Sequence, residues 1–210
     1  MSEEAAIAAT VARRAPAQQR SRERLERILA VASDLIARKG SDQMKMSEIA
    51  DLAGISIGSL YQYFPDKSAI IRTLAEHYND ESRKCIEAAL ADVRGIDGLL
   101  AAYSGLIDQY YQIFLAEPVM RDIWSGMQAD KQLAEVELAE SRAAGALLAA
   151  AMTRVRPDAD PERTAATAFL IWHLGEATMR LAVSCDAVEG AALVNAFKRM
   201  TVHELARPPE

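Results

Sequence analysis

Apolar residues recur at intervals of three and four along almost the whole chain, the spacing that places them on one face of an α-helix. No stretch shows the strict apolar–polar alternation of a half-buried strand. Glycines, prolines and capping residues interrupt the pattern and divide it into about nine helices. We predict an all-α fold with helices over residues 20–39, 46–53, 56–64, 67–91, 96–116, 118–127, 130–155, 161–185 and 186–205.

Residues 46–67 combine two short predicted helices with a tight turn. Gly54 supplies the left-handed backbone conformation that a sharp turn needs. Ala50 is small where the two helices approach, Leu60 is apolar where the second packs on the first, and Pro65 stops the second helix. This is the physical arrangement of a helix-turn-helix, whose second helix enters the DNA major groove.

The second of these helices has no charged side chain. Between Gly54 and Pro65 there is neither an acidic nor a basic residue, whereas hydroxyl and amide side chains are frequent. Hydroxyls and backbone amides suit phosphate oxygens, and a helix without carboxylates does not repel DNA.

In these residues the chain resembles the TetR family of transcriptional regulators (TetR/AcrR type). The resemblance implies a transcriptional repressor that is released from DNA by a small-molecule inducer. Its N-terminal three-helix domain would bind a double-stranded, palindromic DNA operator as a homodimer, and a larger helical domain would bind the inducer and dimerise. The alternative is a helical interaction protein that uses the same hairpin to contact another protein. The resemblance is specific because it rests on many residue types at fixed offsets: Ile49-Ala50, Ala53-Gly54-Ile55-Ser56, Gly58-Ser59-Leu60-Tyr61, Tyr63-Phe64 and Lys67.

The resemblance also implies which residues contact DNA. Ser47 and Ile57 fall where family members touch bases, and Gln62 is suited to pairing with adenine. Family members carry Thr or Ser just ahead of the second helix, where this chain has Lys45, so that a charge contact replaces a cap and Ser47 becomes the other candidate cap. For each residue the alternative is an ordinary surface position. The predicted DNA-binding residues are Lys45, Ser47, Ser56, Ile57, Gly58, Ser59, Tyr61, Gln62, Tyr63 and Lys67.

Charge is distributed unevenly along the chain. The 210 residues have a formal net charge of −6, which argues against a uniformly basic nucleic-acid binder. Residues 11–39 nevertheless carry eight basic and three acidic side chains, so positive charge gathers beside the helix-turn-helix. Residues 1–19 show little periodicity and are predicted to form a flexible arm, whose arginines either reach a DNA minor groove or belong to a solvated tail.

The remaining composition argues against several other classes of protein. No uncharged apolar run is long enough to span a membrane, and Cys85 and Cys185 lie far apart, which indicates a reducing cytoplasm rather than a disulfide framework. There is no glycine-rich phosphate loop, nucleophile elbow or Cys/His metal cluster, and the three histidines fall on different helices. We therefore predict neither an enzyme nor a cofactor.

We predict a DNA-binding domain over residues 20–67 and a ligand-binding and dimerisation domain over residues 68–210. The last two predicted helices mix small and large apolar residues, as in a four-helix interface between two chains, although part of them must face their own core. The fourth helix links the two domains in the family. A ligand that changes its tilt would then shift the protein away from the form that fits DNA.

Aromatic residues in the second domain suggest a pocket for a small-molecule effector. His173 is the most specific candidate because it lies between apolar turns with Glu176 three residues on. The pair either binds a polar group of the ligand or forms a buried hydrogen bond within the core. No motif specifies which molecule binds. The predicted ligand-binding residues are Tyr103, Tyr110, Trp124, Met127, Phe169, Trp172 and His173, each with a core position as the alternative.

Overall fold

The computed structural model describes the backbone of residues 3–127 and 131–207, and the side chains of residues 19–124, 131 and 133–207. Within these ranges the chain forms nine α-helices and no strand, which confirms the all-α prediction. None of the helices in the described part has the length and hydropathy needed to cross a membrane. The helices are α1 (Glu3–Lys39), α2 (Met46–Ala53), α3 (Ile57–Tyr63), α4 (Lys67–Ala91), α5 (Gly95–Ala116), α6 (Pro118–Met127), α7 (Lys131–Val155), α8 (Pro161–Ser184) and α9 (Ala187–Ala206).

The first helix is longer than the sequence pattern predicted. It begins at Glu3, whereas we predicted a start near Arg20. Alanine, the residue with the highest helix propensity, is frequent between these positions, and it sustains a helix without an apolar stripe. Flexibility of residues 1–19 stays a prediction, and the side chains of residues 1–18 lie outside the described part.

The chain separates into two compact units, Met1–Leu74 and Ala75–Glu210, with the division inside α4. The sequence placed the boundary at residue 67, where α4 begins. The first turns of α4 lie within the first unit, and Ile70, Ile71 and Leu74 in those turns are buried.

The core of the first unit holds three helices and the start of a fourth. The buried face of α1 includes Ile28, Ala32 and Leu35, which follow the four- and three-residue spacing of one helix face. Leu60 of α3 is completely buried. Burial of such side chains supplies the stability that short helices lack on their own.

Aspartate side chains cap the starts of three helices. Asp66 accepts from the backbone N–H of Ala69 at 2.8 Å, and Asp160 accepts from Arg163 at 2.7 Å. Asp186 accepts from two backbone N–H groups at the start of α9. Because a cap satisfies donors that the helix itself cannot, these residues fix where α4, α8 and α9 begin.

Close approach of helix backbones distinguishes the second unit. A side-chain carbon at Gly145 of α7 would lie only 2.8 Å from the Cα atom of Phe169 in α8. Gly190 of α9 meets the backbone of Ala182 in the same way. Glycine at these two positions therefore allows α8 to pack directly on both α7 and α9.

These contacts predict opposite effects for two Gly→Ala substitutions. Gly145→Ala should destabilise the protein by about 1–3 kcal/mol because the added methyl group meets backbone that cannot move aside. Gly105→Ala in α5, where no atom lies within 4 Å of the added carbon, should stabilise the protein by roughly 0.5–1 kcal/mol through helix propensity alone. Urea denaturation at one protein concentration measures both, and a stable Gly145→Ala variant would contradict the close packing of α7 and α8.

Candidate functional site

The helix-turn-helix forms around a left-handed glycine, as predicted. Gly54 has φ 68°, and the N–H of Ile55 donates to the carbonyl of Ala50 at 3.0 Å, which closes α2. Ser56 then caps α3, since its hydroxyl accepts from the N–H of Ser59 at 3.1 Å. The turn and the cap together fix the direction of α3 relative to α2.

The sides of α3 that face away from the core carry the predicted DNA-binding residues. Ile57 and Tyr61 have 42% and 51% of their surface exposed, large fractions for such side chains. Gly58 and Gln62 are also exposed, and Ser59 and Tyr63 are partly exposed. The helix therefore offers hydroxyl, amide and apolar groups on an uncharged surface, and their contacts with DNA stay a prediction.

The start of α2 has no side-chain cap. Lys45 occupies the N-cap position in an extended conformation and its side chain makes no capping hydrogen bond. Ser47 is not the cap either, because it lies inside the first turn of the helix. Glu48 in that turn forms an ion pair with Lys39 at the end of α1. Lys45 and Ser47 are both exposed and so remain accessible to a ligand.

Two of the predicted DNA-binding residues also hold the first unit together. The ammonium group of Lys67 donates to the carbonyls of Ser41 and Asp42 at 2.9 and 3.3 Å, in the loop between α1 and α2. The hydroxyls of Tyr63 and Ser21 lie 3.2 Å apart. An ammonium has three N–H donors, so Lys67 keeps one beyond these two carbonyls.

A cavity of about 120 Å³ lies in the second unit. Most of its surface is apolar or aromatic, and its walls come from α4, α5, α6 and α8. Of the predicted ligand-binding residues, Tyr103, Tyr110 and Trp172 line it. Cavities of this size accept one aromatic ring.

The other predicted ligand-binding residues lie elsewhere. Trp124 is buried in edge-to-face contact with Tyr78 and Phe114 beside the cavity. Phe169 packs under the guanidinium of Arg142, whose carbon is 4.6 Å from the ring centre. His173 points to Ser141 of α7. The side chain of Met127 lies outside the described part.

Sequence analysis missed the contribution of α4 to the cavity. Tyr78, Ser82 and Cys85 form one wall, at a spacing of four and three residues along the helix. Residues at this spacing share one helix face, but polar side chains on that face do not form the apolar stripe that would have indicated a cavity wall. Glu176 of α8 also lines it and was considered only as a partner of His173.

Glu176 is a buried carboxyl group at the edge of an apolar space, with 3% of its surface exposed. Burial raises its pKa to about 8, although the Ser141 hydroxyl, 2.6 Å from its Oε2 atom, acts in the opposite direction. The carboxylate of Glu137 raises the pKa further and the guanidinium of Arg180 lowers it. At pH 7 the group is therefore mainly protonated.

The neighbours of Glu176 form a network between α7 and α8. The Ser141 hydroxyl lies 3.1 Å from Nδ1 of His173 and also reaches the carbonyl of Glu137 at 3.1 Å. His173 Nδ1 is 3.9 Å from the Glu176 carboxyl oxygen, beyond hydrogen-bonding distance. Ser141 is thus the direct partner of both groups.

An all-α chain with an N-terminal helix-turn-helix and a separate helical unit has the architecture of a helix-turn-helix transcriptional regulator. Residues 28–74 match the family described as bacterial regulatory proteins, tetR family, and residues 97–208 match the tetracyclin repressor-like, C-terminal domain. The chain therefore belongs to the TetR family, whose members are DNA-binding transcriptional regulators and not enzymes.

Individual proteins agree with this assignment. Over 116 residues the chain is 30% identical to the uncharacterized HTH-type transcriptional regulator YvdT of Bacillus subtilis (strain 168); this covers 53% of the chain and 57% of the relative, so the match spans little more than half of either protein. SCO7518 from Streptomyces coelicolor A3(2) shares the fold with a TM-score of 0.65 and 20% identity, over 85% of this chain and 98% of that one. The structure of RolR in complex with resorcinol gives a TM-score of 0.63 and 18% identity, and the match covers 92% of this chain and 98% of RolR.

The raised pKa of Glu176 predicts a change of stability with pH. Between its ordinary pKa of 4.5 and about 8, the folded protein binds a proton that the unfolded chain releases, so stability falls as pH rises through this window. Glu176→Gln removes that dependence without changing shape. We expect its melting temperature to match that of the unsubstituted protein near pH 4.5 and to exceed it increasingly toward pH 8.

The control is Glu162→Gln, at an exposed position in the first turn of α8. The melting temperature of this variant should depend on pH in the same way as that of the unsubstituted protein. Parallel curves for Glu176→Gln as well would show that the buried carboxyl group titrates normally.

Proposed function

We propose that this protein is a transcriptional repressor that binds a palindromic DNA operator as a homodimer and is released from it by a small-molecule effector. The observation that carries the proposal is the exposed, uncharged surface of α3, held by the glycine turn and the Ser56 cap. An exposed Ile57 has no evident role in water, whereas an apolar side chain there suits a thymine methyl group in the major groove. Tyr61 and Gln62 add a hydroxyl and an amide for phosphate and base edges.

Basic residues outside α3 support binding to the phosphate backbone. Arg20, Arg22, Arg24 and Arg27 are exposed along α1. Lys45, at the start of α2, is exposed as well. These cations provide the sequence-independent attraction that α3 itself lacks.

Dimerisation is supported by apolar side chains exposed on the last two helices. Leu170, Leu174 and Leu181 of α8 are each about half exposed, and they follow the four- and seven-residue spacing of one helix face. Val188 and Met200 of α9 are more exposed still. A second copy of the chain provides a self-complementary cover for such a surface, as in a two-fold symmetric interface. Ala168 and Phe197, on the same two helices, are buried within their own chain.

The cavity supports the effector part of the proposal. Its wall includes Tyr78, Ser82 and Cys85 of α4, the helix whose first residues belong to the core of the first unit. An effector in the cavity contacts α4 directly. If its affinity differs between two positions of this helix, it shifts the population between a form that fits the operator and one that does not.

Selection of bound duplexes from a random DNA pool tests the function. We expect an enriched inverted repeat, because a two-fold symmetric dimer presents two copies of α3. Leu174→Asp should convert the dimer to a monomer in light scattering and remove the requirement for the second half-site. Leu138→Asp, which places the same charge at an exposed leucine of α7, is the control and should remain dimeric. Absence of any enriched sequence at low salt would contradict DNA recognition and favour a protein partner for the helix-turn-helix.

Variants at the helix-turn-helix separate phosphate contacts from structural ones. Lys45→Ala should reduce the slope of log affinity against log salt by about 1.8, that is about 0.9 for each copy in the dimer, without changing the melting temperature, because its side chain is exposed and makes no capping hydrogen bond. Lys67→Ala should weaken DNA binding and also lower the melting temperature, since it loses its bonds to Ser41 and Asp42. Tyr61→Phe should weaken binding by about 1 kcal/mol for each half-site with an unchanged slope, because only an uncharged hydrogen bond is lost from each protomer.

The matched control for the salt slope is Lys84→Ala, at an exposed lysine of the second unit. It should leave both affinity and slope unaltered. A slope that does not change in Lys45→Ala would remove this residue from the phosphate-binding set.

A further inference from the structure

The cavity has a distribution of charge that points to the chemistry of its ligand. Its surface is mainly apolar, with Tyr78, Tyr103, Tyr110 and Trp172 among its walls. Glu176 is the buried acidic side chain that reaches it. A carboxyl group among aromatic rings provides an electrostatic partner for a cation, and the ring faces attract the same charge.

The acidic groups around the cavity outnumber their cationic partners. Three glutamates of α7 and α8 are buried, namely Glu137, Glu140 and Glu176. Arg180 forms an ion pair with Glu137, and Arg83 of α4 forms one with Glu140. Both arginines are therefore already engaged. Glu176 has the Ser141 hydroxyl as its direct partner and no arginine or lysine within ion-pair distance in the described part.

Titratable and charged groups on α4, α5, α7 and α8 surround Glu176. Those with a direct electrostatic or close contact are Tyr110 of α5, Glu137 and Glu140 of α7, and His173 and Arg180 of α8. From α4, Arg83 is held by Glu140 and Asp80, and Glu81 is exposed and paired with Lys84. Burial, together with the carboxylates of Glu137 and Glu140, opposes ionisation of Glu176, so the group favours its neutral form when no cation is bound.

We propose that the cavity takes a small aromatic molecule bearing a protonated amine, whose ammonium group pairs with the Glu176 carboxylate while its ring packs among the tyrosines and Trp172. The inference rests on the proposed function only in assigning the cavity to a ligand. Ser141 suits both states of the carboxyl group, because a hydroxyl accepts from the neutral acid and donates to the carboxylate. When the ammonium group binds, Glu176 releases its proton to solvent. The net charge of the site is then the same before and after binding, because the new carboxylate balances the ammonium.

Three probes of nearly the same shape test this chemistry by titration calorimetry. Benzylamine carries an ammonium group, benzyl alcohol a hydroxyl and ethylbenzene a methyl at the corresponding position. At pH 7.5 we expect benzylamine to bind at least about tenfold more tightly than ethylbenzene, the range of a hydrogen bond to a charged group. Its binding should release up to one proton, seen as a dependence of the measured heat on the ionisation enthalpy of the buffer, and its affinity should rise from pH 6 to pH 8.

Glu176→Gln should bring the affinities of benzylamine and ethylbenzene to within about twofold of each other and abolish proton release. Circular dichroism of this variant verifies that it is folded, and ethylbenzene binding verifies that its cavity remains. Glu162→Gln, at an exposed position of the same helix, should behave as the unsubstituted protein.

The outcomes separate this inference from the proposed function. Equal binding of benzylamine and ethylbenzene, or tightest binding of benzyl alcohol without proton release, would overturn the cationic ligand and leave an apolar or neutral effector. Failure of all three probes to bind would also overturn it. Selective benzylamine binding that does not release the selected DNA would support the inference and show that this probe binds equally well to the form that fits the operator and the form that does not.

Discussion

A seven-residue helix has no stability of its own in water, and the proposed DNA-binding surface of this protein is built on one. The left-handed Gly54 and the Ser56 cap fix both the start and the direction of α3. Leu60 is completely buried and anchors the same helix to the core. The turn and the cap act at the start of α3 and Leu60 acts on its buried face. The exposed face of α3 therefore does not contribute to holding the helix in place, and its residues can differ without loss of stability. Stability and recognition are thus assigned to different faces of a very short element.

The second unit meets the opposite constraint, since its helices are long and must approach closely. Glycines at 145 and 190 bring the backbone of α8 against its two neighbours. Such close contact leaves little room for water between α7 and α8. The acidic residues on the facing sides of these helices are therefore buried. Glu137 and Glu140 are compensated by arginines, whereas Glu176 is compensated by a raised pKa. The unusual protonation of Glu176 is therefore a consequence of helix packing.

The sequence predicted the elements far better than the cavity. Helix bounds from α2 onward agree within one residue because caps, glycines and prolines act locally, and Asp66 or Gly54 can be recognised without knowing the fold. The start of α1 was wrong because an alanine-rich segment forms a helix without the apolar stripe used to detect one. Helical periodicity shows that a residue lies on an apolar face but not which helix it meets. For that reason Trp124 and Phe169 were grouped with Trp172, although only Trp172 lines the cavity, and the wall supplied by Tyr78 and Cys85 was missed.

The course of α4 gives the proposed regulation a physical basis. This helix begins with Lys67, which binds the loop carbonyls of Ser41 and Asp42, and it continues without interruption to the residues that line the cavity. Each turn of a helix is hydrogen-bonded to the next, and under the proposed function α4 is the segment through which a ligand in the cavity acts on the helix-turn-helix. Only differential binding transmits a signal along it: an effector that contacts α4 equally well in both positions changes nothing, however tightly it binds. Under the proposed function, the ligand group that faces Tyr78 and Ser82 of α4 would govern regulation, whereas the group that faces Glu176 of α8 would govern which class of molecule binds.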